Sequence, residues 1–294
     1  MGCAIVVLGA AGVALACSFL SHEWFSTHFD GFSVDRDADV SRAEFDAIVR
    51  RLRVLAIALV ALAALLLGAG RTIDSVATEV ARSWWESVKG SPAAARDWVA
   101  GEERLYLVSF GLVVVVAAAL RIAYLDVPLR YDEATTYNNF VAKPLHVALA
   151  NYSTPNNHLL HTFLAKVSVT LFGSEPWAIR LPALLAGIAL VPATFALTRA
   201  YHGRLAALLA AALVAASSTL VEYSTNARGY TLVALATVLV LIAAVRALER
   251  DSAGAWAVVA ATGSLGLYAV PVMVYPLGGA FLWILVSGWL ARRI

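Results

Sequence analysis

The chain has 294 residues, of which 61% are hydrophobic and 14% are charged, whereas a soluble domain carries roughly 25% charged residues. The apolar residues are gathered into long runs, which is typical of a polytopic membrane protein and excludes a soluble enzyme, a secreted disulfide scaffold and a disordered chain. The formal net charge of +2 is too small to indicate a nucleic-acid partner.

Long apolar runs predict an all-α fold, because a helix needs about 20 mostly apolar residues to span a bilayer. The candidate spans, in chain order, are 4–20, 53–70, 105–125, 157–172, 178–198, 204–222, 228–246, 255–272 and 275–291. No Lys or Arg precedes the first run, so we expect an uncleaved anchor there rather than a signal peptide.

Residues 1–100 are predicted to form an accessory transmembrane hairpin followed by an amphipathic surface linker. The polar stretch 21–52 contains seven acidic residues and is interpreted as a solvated loop. The alternative, a divalent-cation site, lacks a spacing that fixes a coordination geometry. In residues 71–104 apolar side chains recur with helical period, and three tryptophans suit the headgroup level. A boundary near residue 100 separates this part from a second module, 101–294.

Basic loops orient the second module, because short cytoplasmic loops collect Lys and Arg. Placing 199–204, 246–250 and 292–293 inside puts 223–228 and the end of 157–172 outside. If the chain enters the span at 105 from the cytoplasm, the loop 126–156 is outside as well. Both ends of 157–172 are then external, so we interpret this polar segment as a half-inserted or interfacial helix that lines a cavity. The alternative makes 157–172 a full span and leaves the first two of these basic loops outside.

An acidic pair, Asp132 and Glu133, directly follows the span 105–125 and its short loop. Two short juxtamembrane helices are predicted after it, in the first external loop. A carboxylate held there against the lipid headgroups can act as a general base toward an acceptor hydroxyl or amine. The alternative is that Asp132 only caps the helix that follows, since Asp is a favoured N-cap residue.

Arg228 and Tyr230 lie at the predicted external mouth of the span 228–246. A guanidinium grips phosphate oxygens with a fork of donors, so this turn is a candidate phosphate site; the alternative is an arginine that snorkels at a helix end. Further candidates for lining a substrate cavity are Lys143, Asn157 and His158. His158 and His161 share a helix face, but two ligands are too few for a metal site. Arg180 is expected to form a local ion pair with Glu175.

The order of these motifs resembles the GT-C-type membrane glycosyltransferases, in particular the superfamily of protein O-mannosyltransferases and bacterial aminoarabinose transferases. The segments that carry the resemblance are YDEA at 131–134, PNNHLL at 155–160, LFGSEPWAIRLPA at 171–183 and ARGYTL at 227–232. Together they extend over about residues 100–290. The resemblance implies a GT-C-like helical module with juxtamembrane helices in its first external loop.

By resemblance, the chain is expected to move a sugar from a polyprenyl-phosphate donor to an acceptor glycan, lipid or protein, with inversion, on the external (periplasmic or extracellular) face. Asp132 matches the catalytic aspartate of the family and Glu133 its neighbour, while Arg228 and Tyr230 fall at the donor-phosphate turn. Membrane lipids are the other expected partners. The sequence requires no cofactor, and a divalent metal is compatible with it but not demanded.

Three departures from the family pattern keep other functions open. Ser153 and Thr154 stand where many relatives have Lys or Glu, and residues 232–234 supply no second acid. Relatives are generally longer, so we expect 101–294 to be a catalytic module that is either truncated at its carboxyl end or a minimal core. The main alternative is a non-catalytic membrane subunit that binds a polyprenyl lipid or a partner, and a transporter is the third interpretation.

Overall fold

A computed structural model of the chain describes residues 2–28, 40–68, 78–82, 96–152, 154, 156–250 and 253–291. These residues form helices and turns without strands, which confirms the predicted all-α class. Some predicted features lie outside the described residues. They are four acidic residues of the stretch 21–52 (Asp30, Asp35, Asp37 and Asp39), two of the three tryptophans of 71–104 (Trp84 and Trp85), and the basic pair Arg292 and Arg293.

The chain divides into two compact units, Met1–Glu79 and Val80–Ile294. The first unit contains helices α1 (Gly2–Cys17), α2 (His22–His28) and α3 (Arg42–Gly68). Small buried side chains lie where α1 packs against α3, and these are Ala11, Ala14, Ala56 and Ala63. Small residues let two helix backbones approach closely. The predicted functional boundary near residue 100 stays a prediction.

The first long helix of the second unit is α4 (Arg104–Ala123). Two short helices follow it, α5 (Tyr131–Thr136) and α6 (Leu145–Ala150), and a π-helical turn at Tyr137–Val141 lies between them. The remaining helices are α7 (Leu159–Phe172), α8 (Pro176–Tyr201), α9 (Arg204–Ala216), α10 (Ser218–Ser224), α11 (Tyr230–Arg250), α12 (Ala253–Ala269) and α13 (Val274–Ala291). Helices α4, α8 and α9 pack around Phe195, and α11 to α13 pack around Met273.

Within the described ranges, four helices are long and apolar enough to cross a membrane, or six if each of two bent helix pairs counts as one span. The four are α4, α8, most of α11, and the segment Pro271–Leu290. The chain therefore has the helices of a polytopic membrane protein. Two of the predicted spans, 157–172 and 255–272, form apolar helices of 14 and 17 residues, α7 and α12. The predicted span 204–222 is divided between α9 and α10.

Helix α7 has 14 residues, which extend over about 21 Å at 1.5 Å per residue. Its first residues follow His158, whose ring accepts a hydrogen bond from the Gly229 N–H. Near its other end, the Ser168 hydroxyl donates to the carbonyl of Ala178, at the start of α8. Arg180, one turn into α8, reaches Glu133. The amino-terminal end of α7 therefore contacts the 225–229 turn, and its other end contacts the start of α8. The interfacial placement of 157–172 stays a prediction.

The two short helices predicted after the acidic pair are present as α5 and α6, joined by the π-helical turn, and their juxtamembrane position stays a prediction. Phe140, Val141 and Ala148 on their apolar stripes are buried. Lys166 on α7 donates to the carbonyl oxygens of Val141 and Lys143, at 2.9 and 2.6 Å. A cation at the carboxyl end of a helical turn satisfies carbonyl groups that have no partner within the turn. The short helices are thus fixed against α7.

A buried arginine holds the break between α9 and α10, which bend by 59° at Ser217. Arg121 on α4 has no exposed surface, and it donates to the carbonyl oxygens of Val214 and Ala215 and to the Ser224 hydroxyl. These are the last carbonyls of α9, where the helix dipole is negative. Arg121 therefore stabilises the bend that leads the chain into the 225–229 turn.

Gly187 on α8 lies against this arginine, and we expect Gly187→Ala to destabilise the unit. A Cβ at position 187 would lie 2.0 Å from the Ser224 Oγ and 3.3 Å from the Arg121 Nε. Overpacking a tight site costs about 1–3 kcal/mol. The measurement is the thermal unfolding midpoint in detergent. Gly111→Ala on α4 is the control, because its Cβ meets nothing within 4 Å, and equal midpoints for the two variants would contradict the prediction.

Candidate functional site

The side chains of Asp132 and Arg228 meet, although 96 residues separate them in the chain. Asp132 lies in the first turn of α5, and Arg228 lies in the turn between α10 and α11. The Arg228 Nη1 donates to the Asp132 Oδ2 at 2.7 Å. The Asp132 side chain is 56% exposed and that of Arg228 is 13% exposed. The structure thus brings a solvent-facing carboxylate and a largely buried guanidinium together.

Glu133, the neighbour of Asp132, points the other way and is fully buried. Its Oε2 accepts the backbone N–H of Arg130 at 2.9 Å, so the residue that caps α5 is Glu133 and not Asp132. Its Oε1 accepts the backbone N–H of Ala227 at 2.8 Å. One carboxylate therefore joins the start of α5, which carries Asp132, to the turn that carries Arg228.

Arg180 completes this connection, and the predicted local pair with Glu175 is wrong. Its Nε and Nη2 donate to the two carboxylate oxygens of Glu133 at 2.7 and 2.6 Å. Its other N–H groups donate to the carbonyl oxygens of Leu125, Val127 and Pro128. All five guanidinium donors are used. A bidentate pair with a buried carboxylate satisfies the fork of donors better than an exposed neighbour does.

The environment of Glu133 keeps its carboxylate ionised. Burial alone raises the pKa of Glu133, but the hydrogen bonds from Arg180, Arg130 and Ala227 and the charge of Arg180 outweigh it, and the pKa lies below its ordinary value. An ionised, fully buried and fully paired carboxylate has no surface to offer an acceptor. In this structure Glu133 belongs to the frame of the site.

Arg228 is enclosed by two rings, those of His158 and Tyr230. Its guanidinium carbon lies 5.4 Å from the centre of the Tyr230 ring, and its Nη2 lies 3.4 Å from both the Tyr230 hydroxyl and the His158 Nε2. The rings of His158 and Tyr230 meet edge to face with centres 5.0 Å apart. Stacking on an aromatic face orients the planar guanidinium. We call Asp132, Glu133, His158, Arg228 and Tyr230 the candidate site.

The remaining predicted residues lie further from this pair. Asn157 is fully buried, and its amide donates to the carbonyl oxygens of Ala148 and Asn151, which fixes the end of α6. The Lys143 side chain is exposed, and its contact with α7 is made by its backbone carbonyl. Neither side chain hydrogen-bonds to Asp132 or Arg228 among the described residues.

Several buried polar atoms beside the candidate site have no protein partner among the described residues: the Arg228 Nε, the Asn226 Oδ1 and both ring nitrogens of His161. Buried polar groups in folded proteins are normally hydrogen-bonded, so such atoms need a polar ligand or water. Over the same residues, no group of three or more His, Cys, Asp or Glu side chains is arranged to hold a metal ion.

A cavity of about 590 Å³ lies between the end of α4, the loop that leads into α5, and α10. Leu120, Tyr124 and Val127 line one wall of it, and Val221 lines another. Arg130 and Glu222 also line the cavity and form an ion pair whose two side chains are each 53% exposed. The cavity therefore combines apolar walls with charged groups.

One known protein family matches part of the chain. Residues 155–294 match dolichyl-phosphate-mannose-protein mannosyltransferases. This match confirms the resemblance to GT-C-type membrane glycosyltransferases and points to a mannosyltransferase-like enzyme. No curated protein and no solved structure matches the chain. Together with the apolar helices, the family match indicates an integral membrane glycosyltransferase with a sugar donor and an acceptor.

The matched mannosyltransferase region contains His158, Arg228 and Tyr230 but not Asp132 or Glu133, which precede it. The tertiary contacts connect the two parts, since Arg180 and Arg228 within the region bind Glu133 and Asp132 outside it. Sequence reasoning missed the role of Arg180. The feature of the sequence that indicates this role is the position of Arg180 near the start of a long apolar helix. An unpaired charge is costly there, so a buried partner is expected.

Proposed function

We propose that this chain is an inverting glycosyltransferase that moves a sugar from a polyprenyl-phosphate donor to an acceptor on the external face of the membrane. The observation that carries the proposal is the 2.7 Å contact between Asp132 and Arg228. A base for the acceptor and a cation for the donor phosphate are the two groups that this reaction needs side by side.

In the proposed reaction, Asp132 takes the proton of the acceptor hydroxyl as that oxygen attacks the anomeric carbon of the sugar. The bond between that carbon and the phosphate oxygen breaks, and the electron pair leaves with the phosphate. The products are a glycoside of inverted configuration and a polyprenyl phosphate that carries one more negative charge than the donor did. The Oδ1 of Asp132 has no hydrogen-bond partner among the described residues, so it is the oxygen we assign to proton transfer.

Arg228 is assigned to the phosphate, whose charge grows as the bond breaks. Its Nη1 donates to Asp132, and a bound phosphate competes for the same donors. Donors placed where charge develops stabilise the transition state more than the ground state. When the donor is bound, Arg228 donates to its phosphate instead of to Asp132, and the Asp132 carboxylate is then free to accept a proton.

Glu133 and Arg180 are assigned as positioning residues. The Glu133 carboxylate binds the backbone at Arg130 and at Ala227, on the two segments that carry Asp132 and Arg228. Loss of this frame lets the base and the cation move apart, and misplacement of about 1 Å can cost about 100-fold in rate.

The cavity lined by Arg130 and Glu222 offers a place for the lipid part of the donor. Its apolar walls suit an isoprenoid chain, and the backbone N–H of Arg130 binds Glu133, the neighbour of Asp132 in the chain. External placement of this region is supported by the positively charged loops 199–204 and 246–250, which favour the cytoplasmic side.

We expect Arg228→Gln to weaken donor binding by about 10- to 100-fold, because hydrogen bonds to a charged group are worth about 1.5–3 kcal/mol. The measurement is equilibrium binding of polyprenyl-phosphate mannose to the purified chain in nanodiscs. Arg246→Gln is the control, since Arg246 is an exposed arginine near the other end of α11. Equal donor affinity of Arg228→Gln and the unmutated chain would contradict the phosphate assignment.

Transfer itself is tested with radiolabelled polyprenyl-phosphate mannose and membranes that supply acceptors. Formation of labelled product by the unmutated chain supports the enzyme. Binding of donor without any product would favour the non-catalytic subunit, and absence of both binding and product would overturn the proposal.

A further inference from the structure

His158 makes two contacts that together fix which of its ring nitrogens carries the proton. The backbone N–H of Gly229 lies 2.7 Å from Nδ1. A backbone N–H can only donate, so Nδ1 must present its lone pair. A neutral imidazole has one N–H, and it must therefore be on Nε2.

The ring is held in this neutral form by its surroundings. Burial and, next, the charge of Arg228 lower the pKa of His158 to about 4. Protonation of Nδ1 would also break the hydrogen bond from Gly229. Near neutral pH the ring therefore presents a hydrogen-bond donor, Nε2–H, on the side that faces Arg228.

The His158 Nε2 lies 3.4 Å from the Arg228 Nη2. Arginine can only donate, and so can this ring nitrogen, so the contact is between two donors and is not a hydrogen bond. Two N–H groups this close are satisfied together by one acceptor that lies within hydrogen-bond distance of both. An anionic oxygen is the acceptor that such a pair binds best.

We infer that His158 is a phosphate-binding residue, whose Nε2–H and the Arg228 Nη2 donate to the same oxygen of the donor phosphodiester. The inference rests on the proposed function and adds a second, uncharged donor to it. The Gly229 N–H acts through His158 as a positioning group, since it selects the tautomer. The same turn of chain therefore supplies the cation at residue 228 and sets the histidine proton through residue 229.

The test uses two substitutions that separate the ring nitrogens. In His158→Asn the amide lies near the Nδ1 position and still accepts from Gly229, but no donor remains at the Nε2 position. In His158→Gln the amide reaches the Nε2 position and restores a donor there. The probes are a synthetic farnesyl methyl phosphodiester, whose single charge does not titrate near neutral pH, and farnesol, which lacks the phosphate. Binding is measured at pH 7 with the chain in phosphatidylcholine nanodiscs.

We expect His158→Asn to lose about 10- to 100-fold in phosphodiester affinity, with unchanged farnesol affinity and melting temperature. His158→Gln should stay within about threefold of the unmutated chain. The inference is overturned if His158→Asn binds the phosphodiester like the unmutated chain, or if both variants lose affinity equally. Failure of the unmutated chain to bind the phosphodiester would instead overturn the proposed function together with this inference.

A spectroscopic measurement tests the tautomer without relying on the variants' folding. In the chain labelled with ¹⁵N-histidine, the signal assigned to His158 should show a protonated Nε2 and an unprotonated Nδ1 at pH 7. The signal is assigned by its loss in His158→Gln, or by perturbation on Gly229 labelling if that variant does not fold. The opposite tautomer, or a doubly protonated ring, overturns the inference.

Discussion

Asp132→Asn is expected to abolish sugar transfer while leaving donor binding in place. The amide keeps the size of the side chain but cannot take a proton from the acceptor, and loss of a general base costs typically about 10²–10⁴-fold in rate. The measurement is the initial rate of labelled-sugar transfer in membranes, alongside equilibrium binding of the donor. Donor affinity should not fall, because Arg228 loses only its competing carboxylate partner.

Asp126→Asn is the matched control for this variant. Asp126 is exposed in the same loop, five residues before the start of α5, and it lies outside the candidate site. The substitution Asp126→Asn removes the same charge without affecting Arg228, so the rate of sugar transfer should be unchanged. A transfer rate for Asp132→Asn within a few-fold of the unmutated chain would show that the base is another group.

Loss of the Glu133 carboxylate is expected to have the largest effect on stability. Glu133→Ala leaves the Arg180 guanidinium buried and without its ionic partner, since both side chains have no exposed surface. Breaking a buried pair by removing one partner costs about 3–5 kcal/mol, whereas replacing both partners costs much less. The measurement is the unfolding midpoint in detergent for Glu133→Ala, Arg180→Met and a variant with Glu133→Gln and Arg180→Met together.

The exposed pair of Arg130 and Glu222 provides the comparison for this experiment. Both of its side chains are 53% exposed, and pairs of this kind contribute about 1 kcal/mol or less. Glu222→Gln should therefore shift the midpoint far less than Glu133→Ala does. Similar midpoints for these two variants would contradict the assignment of Glu133 and Arg180 as the frame of the candidate site.

The buried frame explains why two carboxylates that are neighbours in sequence have different environments. On the first turn of α5, Asp132 faces outward and meets Arg228, while Glu133 faces the helix bundle and meets Arg180. Successive residues of a helix point about 100° apart, so an acidic pair at the start of a helix presents one group to each side. The proposed reaction uses the outward group and relies on the inward one for its geometry.

The bend between α9 and α10 at Ser217 belongs to the same frame. Arg121 binds the end of α9 and the Ser224 hydroxyl, and the chain then enters the turn that carries Ala227 and Arg228. Two buried arginines, Arg121 and Arg180, thus hold the segments on either side of the candidate site. Both satisfy backbone carbonyls as well as side chains, which is why each is retained in an otherwise apolar environment.

The sequence by itself determined the class of the molecule and the type of its helices. Apolar runs predicted the long helices, because backbone groups in lipid must be paired within a helix. The acidic pair after α4 and the arginine before α11 could be singled out, because charged groups at the edge of apolar helices are costly unless they act or are paired. The polar composition of 157–172 already favoured an interfacial helix, and α7 is short.

Only the tertiary structure decided which charges pair and how each is used. Arg180 was expected to bind Glu175, five residues before it, but it binds Glu133, 47 residues away, because burial rewards a bidentate and fully satisfied contact over a local exposed one. The order of Asp132 and Glu133 in the sequence did not predict which of the two is buried, because that depends on which side of α5 faces the bundle. The proton on His158 depends on the backbone of Gly229, a contact between residues 71 positions apart that no local pattern contains.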